Sequence, residues 1–313
     1  MIRAEWKKLL RQRWLIGIAI LLIFVDVGLF LNTQYTEKKD RVAAVPLFAE
    51  YQKETADMTN EQAQEYLTDQ LNTLSNFQFV QIALNGEVDE GLLQGLVEEN
   101  PNILDEYRQA GYEENPLALT TKIQVISELL EQYQNVSGYQ AYLESIQTQY
   151  EQMKDSSFYE GRPYAEAQGK KTTEDFAKLQ GTEPEIGMNW GVEALMEEQI
   201  SSEILILLAL GICIVLVSQD RTHDLFGLLR SCRRGHGYLI VAKFATALTA
   251  VLLFGIVMYG SQVAIAWKLY GMGNLNRPMQ SVNLLNESAR QLTVGGYLLD
   301  YYLRHLIAVL VLT

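Results

Sequence analysis

The sequence predicts an all-α integral membrane protein whose transmembrane helices carry a helical, partly coiled-coil-like extracytoplasmic domain between spans one and two. Three observations carry this. Apolar blocks stand at 14–31, 204–217, 238–267 and 305–312, and residues 244–267 run 24 positions without a charge. Lipid offers backbone amides no partner, so such a stretch is a helix bonded within itself. Charge is segregated: residues 33–199 hold 11 Lys/Arg against 31 Asp/Glu, a net of −20 in a chain of net −13, which leaves +7 elsewhere. The segment 218–243 then places five cations, among them Lys243, against Asp220 and Asp224. Lys and Arg resist translocation, so this loop belongs in the cytoplasm, with the amino terminus, and residues 32–199 lie outside the cell membrane. A soluble acidic protein does not account for 244–267.

Residues 1–14, MIRAEWKKLLRQRW, place Ile2, Trp6, Leu9, Leu10 and Trp14 at helical spacing among Arg3, Lys7, Lys8, Arg11 and Arg13. This is a cytoplasmic amphipathic helix suited to the headgroup layer, with Trp6, Trp14, Arg11 and Arg13 at the membrane interface. The first transmembrane helix, 15–31, lacks a small-x-small cleavage site and is read as uncleaved. It carries Asp26, which faces either a helix neighbour or a water-filled cavity, or else snorkels to the outer interface.

Residues 32–199 read as helical almost throughout. Leu67, Leu71, Leu74, Phe77, Val80 and Leu84 recur three and four apart, and Asn100–Pro101 and Asn115–Pro116 are breaks. A longer pattern runs from Ile123 to Met153, and its register slips at residues 135–138. The slip is either a stutter in one helix or the turn of a helical hairpin. Residues 161–171, with Gly161, Pro163 and Gly169, read as loop, and 181–191 as the descent to the membrane.

The second transmembrane helix, 200–218, has only 14 uninterrupted apolar residues, which cover about 21 Å of a core of about 30 Å. It reaches full length by including polar residues at its ends. A cytoplasmic segment, 219–242, leads to the third transmembrane helix, 243–267, with Lys243 at the interface. Residues 268–296 are an outer loop by alternation. Residues 297–313 begin a fourth span, and its short apolar run reads as part of a longer protein.

No catalytic or metal site is expected. The nearest approach to a phosphate-binding loop, Gly169-Lys170-Lys171-Thr172, has Tyr164 where the first glycine belongs. The three histidines are scattered, and the two cysteines, Cys213 and Cys232, cannot build a disulfide framework.

The segment DRTHDLFGLLRSCRRGHGYLIVAK resembles the cytoplasmic loop of ABC transporter permeases of the type-2 exporter class. Asp220 takes that family's acidic position, Leu228-Leu229 its leucine pair, Arg233-Arg234-Gly235 its basic-glycine stretch, and Lys243 the lysine opening the next span. Asp224 stands where glycine is common and His236 where arginine is common. The order of parts is similar too, from amphipathic amino terminus through first span and large outer domain to second span. The resemblance implies a permease subunit that hydrolyses no ATP and holds no cofactor. It implies a separate cytoplasmic ATP-binding subunit as partner and a second permease subunit, identical or not. Nucleic acid is not implied. Leu225, Phe226, Leu228 and Leu229 form an apolar patch too short to span a bilayer, rimmed by Arg230, Arg233 and Arg234. Such a surface fits a cleft in a cytoplasmic partner, with apolar anchors inside and charge at the rim. A sensor or receptor would instead leave the second span into a long cytoplasmic relay, and a structural or secretion-associated protein would not need the 220–243 pattern.

Overall fold

The computed structural model describes residues 2–86, 90–154, 156–197, 200–222 and 235–312. Among these the chain is α-helical, with no β-strand beyond one isolated antiparallel bridge between Pro278 and Thr293. In chain order the helices are α1 (Ile2–Arg11), α2 (Arg13–Asn32), α3 (Lys39–Glu54), α4 (Asn60–Leu84), α5 (Glu90–Glu99) and α6 (Ile103–Gln109). They continue with α7 (Pro116–Lys154), α8 (Pro163–Ala177), α9 (Trp190–Glu197), α10 (Ile200–Thr222), α11 (Gly235–Tyr270) and α12 (Val294–Leu312). Among the described residues four segments are long and apolar enough to cross a membrane: Arg13–Glu37, Ile200–Ser218, Gly237–Tyr270 and Val294–Leu312. The protein is therefore a multi-pass, membrane-embedded, all-α protein. Its chain divides into two compact units, one of Met1–Lys38, Trp190–Met272 and Gly296–Thr313, the other of Lys39–Asn189 and Gly273–Gly295.

The first unit contains the four spans. The 20 residues of α2 rise about 30 Å, one hydrocarbon thickness. Helix α10 gains the length its apolar run lacks by starting at Ile200, so that Ser201, Ser202 and Glu203 form its first turn. Helices α2, α10 and α11 pack on one another, and Leu306 and Val309 of α12 close the same core. The apolar residues of these helices do not all turn inward. Phe24, Leu207, Ile214, Phe244, Ile256 and Leu299 remain exposed while Leu205, Ala209, Ile212 and Ala250 are fully buried. A helix apolar on every side is one whose outer face meets lipid.

The amino-terminal helix differs from a simple interfacial one. The chain breaks at Gln12, whose φ of −82° and ψ of 80° leave the helical region, and α1 packs against α10 and α11. Leu9 enters the core and Trp6 packs against it, while Ile2, Leu10 and Trp14 stay exposed. The apolar stripe is thus shared between helix neighbours and the outer surface, because α1 and α2 turn independently on either side of Gln12. Glu5 is buried as well; one carboxylate oxygen accepts from Lys8 Nζ at 2.7 Å and the other has no hydrogen-bond partner.

The second unit is organised around α7, along which α3, α4 and α8 pack. Phe48 and Tyr51 of α3 and Leu67, Leu74 and Phe77 of α4 are buried, as are Leu119, Ile126 and Leu129 of α7. Thr59 starts α4 with a reciprocal cap: its hydroxyl accepts from the Gln62 amide at 3.3 Å and its own amide donates to Gln62 Oε1 at 3.0 Å. The chain turns at Asn100–Pro101, and Pro116 opens α7. Helix α7 runs unbroken through residues 135–138, which settles the open register: the slip is absorbed within one helix of 39 residues. Gly138 costs about 1 kcal/mol there relative to alanine, less than packing along the rest of the helix contributes. Residues 161–171 are not a loop, since α8 begins at Pro163 and continues to Ala177. Proline at a first helical position forfeits no hydrogen bond, and Gly169 permits the Tyr159 hydroxyl to approach to where a side chain would stand.

The segment 273–295, read from sequence only as a loop between spans, belongs to this second unit. Arg277 fastens it. The guanidinium is 1% exposed, and Nη2 donates to the Met188 carbonyl at 2.8 Å and to Asn189 Oδ1 at 2.7 Å. Asn189 Nδ2 in turn donates to the Ser281 carbonyl at 3.2 Å, and the Glu185 amide to Ser281 Oγ at 2.9 Å. Burial lowers the Arg277 pKa from its ordinary value, and Glu185 opposes that shift. A Cβ at Gly187 would crowd Arg277 Nη1, so a larger residue there forces the buried guanidinium to shift. We therefore expect Gly187→Ala to destabilise the protein by about 1–3 kcal/mol through overpacking, read as a lower thermal midpoint in detergent. In an Arg277→Ala background the same substitution should cost almost nothing; equal losses in both backgrounds would refute the contact.

Candidate functional site

A carboxylate inside a span is costly unless neighbouring helices satisfy it. Asp26 sits on α2 six residues before its end, and the facing helices meet it with polar side chains. It is 2% exposed, and Gln262 of α11 and Ser201 of α10 are each 1% exposed. Gln262 Nε2 lies 3.4 Å from each Asp26 carboxylate oxygen and also donates to Ser201 Oγ. One amide thus links three spans. Beside it, the Ser202 and Tyr259 hydroxyls are 3.0 Å apart, and the Tyr259 ring lies 4.7 Å from that of Tyr302 on α12. The Tyr302 hydroxyl is buried without a hydrogen-bond partner. Nearer the same ends of α2 and α11, Tyr270 donates to Gln34 Oε1 at 2.7 Å, both residues being buried. All four spans therefore contribute polar groups to one end of the unit, about 10 Å along α2 and α11 from their carboxyl ends.

The chemistry follows from the donors present. An ionised aspartate only accepts hydrogen bonds, and here the donors that face it are neutral, the Gln262 amide and the Ser201 hydroxyl. Among the described residues no cation stands within ion-pair distance of it. Such a carboxylate can take up a proton, and its contact with Gln262 ties α2 to α11. No cluster of three or more metal-ligating side chains occurs among the described residues.

The structure places the other sequence-derived residues as follows. Arg11, Arg13 and Trp14 are exposed around the Gln12 break, where Trp14 Nε1 donates to Gln12 Oε1 at 3.0 Å. Trp6 faces the helical core instead. Lys243 is half-buried within α11, and its ammonium donates to the Leu216 carbonyl near the end of α10. Asp220 lies in the last turn of α10 and Gly235 opens α11. Leu225, Phe226, Leu228, Leu229, Arg230, Arg233 and Arg234 lie outside the described residues.

Gln262, Ser201, Tyr259 and Tyr302 were not singled out from the sequence. A signal for Gln262 was there, as the one carboxamide in the 24 uncharged residues 244–267. Ser201 carried none, since serine at the start of a helix is common for capping alone.

Compared with family models, curated proteins and solved structures, the chain gave no match.

Replacing Asp26 by Leu should leave the Gln262 amide short of an acceptor and lower stability by about 1–3 kcal/mol. Asp26→Asn keeps an acceptor and should cost less. Thermal unfolding of the purified protein in detergent reads both, and a Leu variant as stable as the parent would show that Gln262 does not depend on Asp26.

Proposed function

We propose that this chain is a membrane-spanning permease subunit of an ATP-driven exporter, coupling a separate cytoplasmic ATPase to movement of an amphipathic or lipid-like substrate. The observation that carries the reading is the 220–243 pattern between two spans: acidic residue, leucine pair, basic-glycine stretch and lysine. In this reading the amino terminus and residues 223–234 are cytoplasmic, and the acidic, helical unit, partly coiled-coil-like along α4 and α7, is extracytoplasmic. The protein pairs with a second permease subunit and two ATPase subunits, and the hydrolytic chemistry stays on those partners.

The structure supports the mechanics of this proposal. Helices α10 and α11 pack on each other, so residues 223–234 join two neighbouring helices. Both helices are continuous from that connection to their far ends, where Ser201 and Gln262 meet Asp26. A force on the connection is then carried by two rigid rods, with the Lys243 ammonium on the Leu216 carbonyl tying them at the near end. In the proposal, Leu225, Phe226, Leu228 and Leu229 seat in the ATPase, the arginines pair at its rim, and closure of the ATPase tilts the two spans.

Leu228→Asp combined with Leu229→Asp should abolish ATP-dependent transport and co-purification of an ATPase subunit, with membrane insertion intact. Retained co-purification would refute the docking role. Topology has its own check: a membrane-impermeant thiol reagent should label a cysteine placed at Ser145 in intact cells and spare one placed at Ser231. The reverse pattern would overturn the orientation.

A further inference from the structure

Helix α1 has two unlike faces. Toward α10 and α11 it buries Leu9 and its one acidic residue, Glu5, which Lys8 holds at 2.7 Å, and Trp6 packs against the same core. The other face carries Arg3, Lys7 and Arg11, all exposed and each four residues from the next. That spacing lays three cations along one line about 12 Å long. Arg13 is exposed just past the Gln12 break, and none of the four has an ion pair among the described residues. Like charges four apart repel, so the line weakens α1 unless an anionic surface lies against it. Leu10 and Trp14 stay exposed among these cations. The first span begins at Arg13, and α1 is packed back onto two other spans. Its outward face therefore stands where hydrocarbon gives way to headgroups.

Charge and apolarity together specify the occupant. A soluble acidic partner would match the cations and leave Leu10 and Trp14 unanswered. A zwitterionic lipid would cover those two side chains and offer no net charge to the four cations. A molecule with a net negative headgroup and acyl chains answers both, and a tryptophan ring suits the boundary between them. We propose that the outward face of α1 binds anionic phospholipid. The headgroup phosphates lie on Arg3, Lys7, Arg11 and Arg13, and the chains run beside Leu10 and Trp14. Lipid charge then tightens the seat of α1 on α10 and α11. The surface lies wholly within the first unit and does not depend on the transport reading.

The full chain, purified in an uncharged detergent, should be titrated with phosphatidylglycerol and with phosphatidylcholine, followed by native mass spectrometry and thermal unfolding. Phosphatidylglycerol should bind about tenfold or more tightly, and it alone should raise the thermal midpoint. Added salt should shrink the preference. Arg3→Gln, Lys7→Gln, Arg11→Gln and Arg13→Gln combined should erase it, with the lipid-free midpoint unchanged or raised because the like charges are gone. Arg3→Gln with Lys7→Gln leaves the two cations nearest the span to hold topology, and should lose part of the preference. Arg3→Lys, Arg11→Lys and Arg13→Lys combined should keep it. Inorganic phosphate, an anion without chains, should leave the midpoint unmoved. Equal binding of the two lipids, a preference that both Gln variants retain in full, or a phosphate effect as large as the lipid's overturns the proposal.

Discussion

The first unit rests on the requirement that a backbone amide in hydrocarbon be paired within its own segment. That requirement makes each span a continuous helix and allows apolar side chains to point both inward and outward. It also removes the usual driving force for packing, because lipid is as apolar as leucine. What then fixes the helices against each other is shape and a few polar contacts. Leu306 packs closely on α11, and the Asp26–Gln262–Ser201 knot joins α2, α10 and α11 at one end. Polar contacts between spans are worth only about 1 kcal/mol each, but they are directional where apolar packing is not.

The second unit answers to the opposite solvent. In water, α7 can bury an apolar face against α3, α4 and α8 and leave its acidic residues solvated, so the high negative charge is compatible with a packed core. Its specific devices are polar and local. Arg277 is the largest of them: a nearly inaccessible guanidinium whose Nη2 meets two acceptors, and whose Nε and Nη1 are without a hydrogen-bond partner. A charge buried so incompletely contributes little net stability; its value is in holding residues 187–189 to 273–281 in one arrangement.

Much of this was legible beforehand. The spans at 14–31 and 244–267, the breaks at Asn100–Pro101 and Asn115–Pro116, and the apolar repeat of α4 all follow from local rules of solvation and backbone geometry. The misreadings are local rules overruled. Gly169 and Pro163 look like loop residues until Tyr159 closes over one and the other occupies a first helical turn. Leu9 and Trp6 look lipid-facing until α10 and α11 are placed beside them. Asp26 was visible as an ionisable residue in a span, but its partners lie more than 170 residues away in sequence.

The sequence by itself determined that the chain is mostly helical and which of its segments suit lipid, because hydration and amide pairing act residue by residue along the chain. Only the tertiary structure decided that Gln262 and Ser201 converge on Asp26, and that residues 273–295 join the acidic helices around Arg277. Those choices depend on distances between segments remote in sequence, which neither composition nor periodicity encodes.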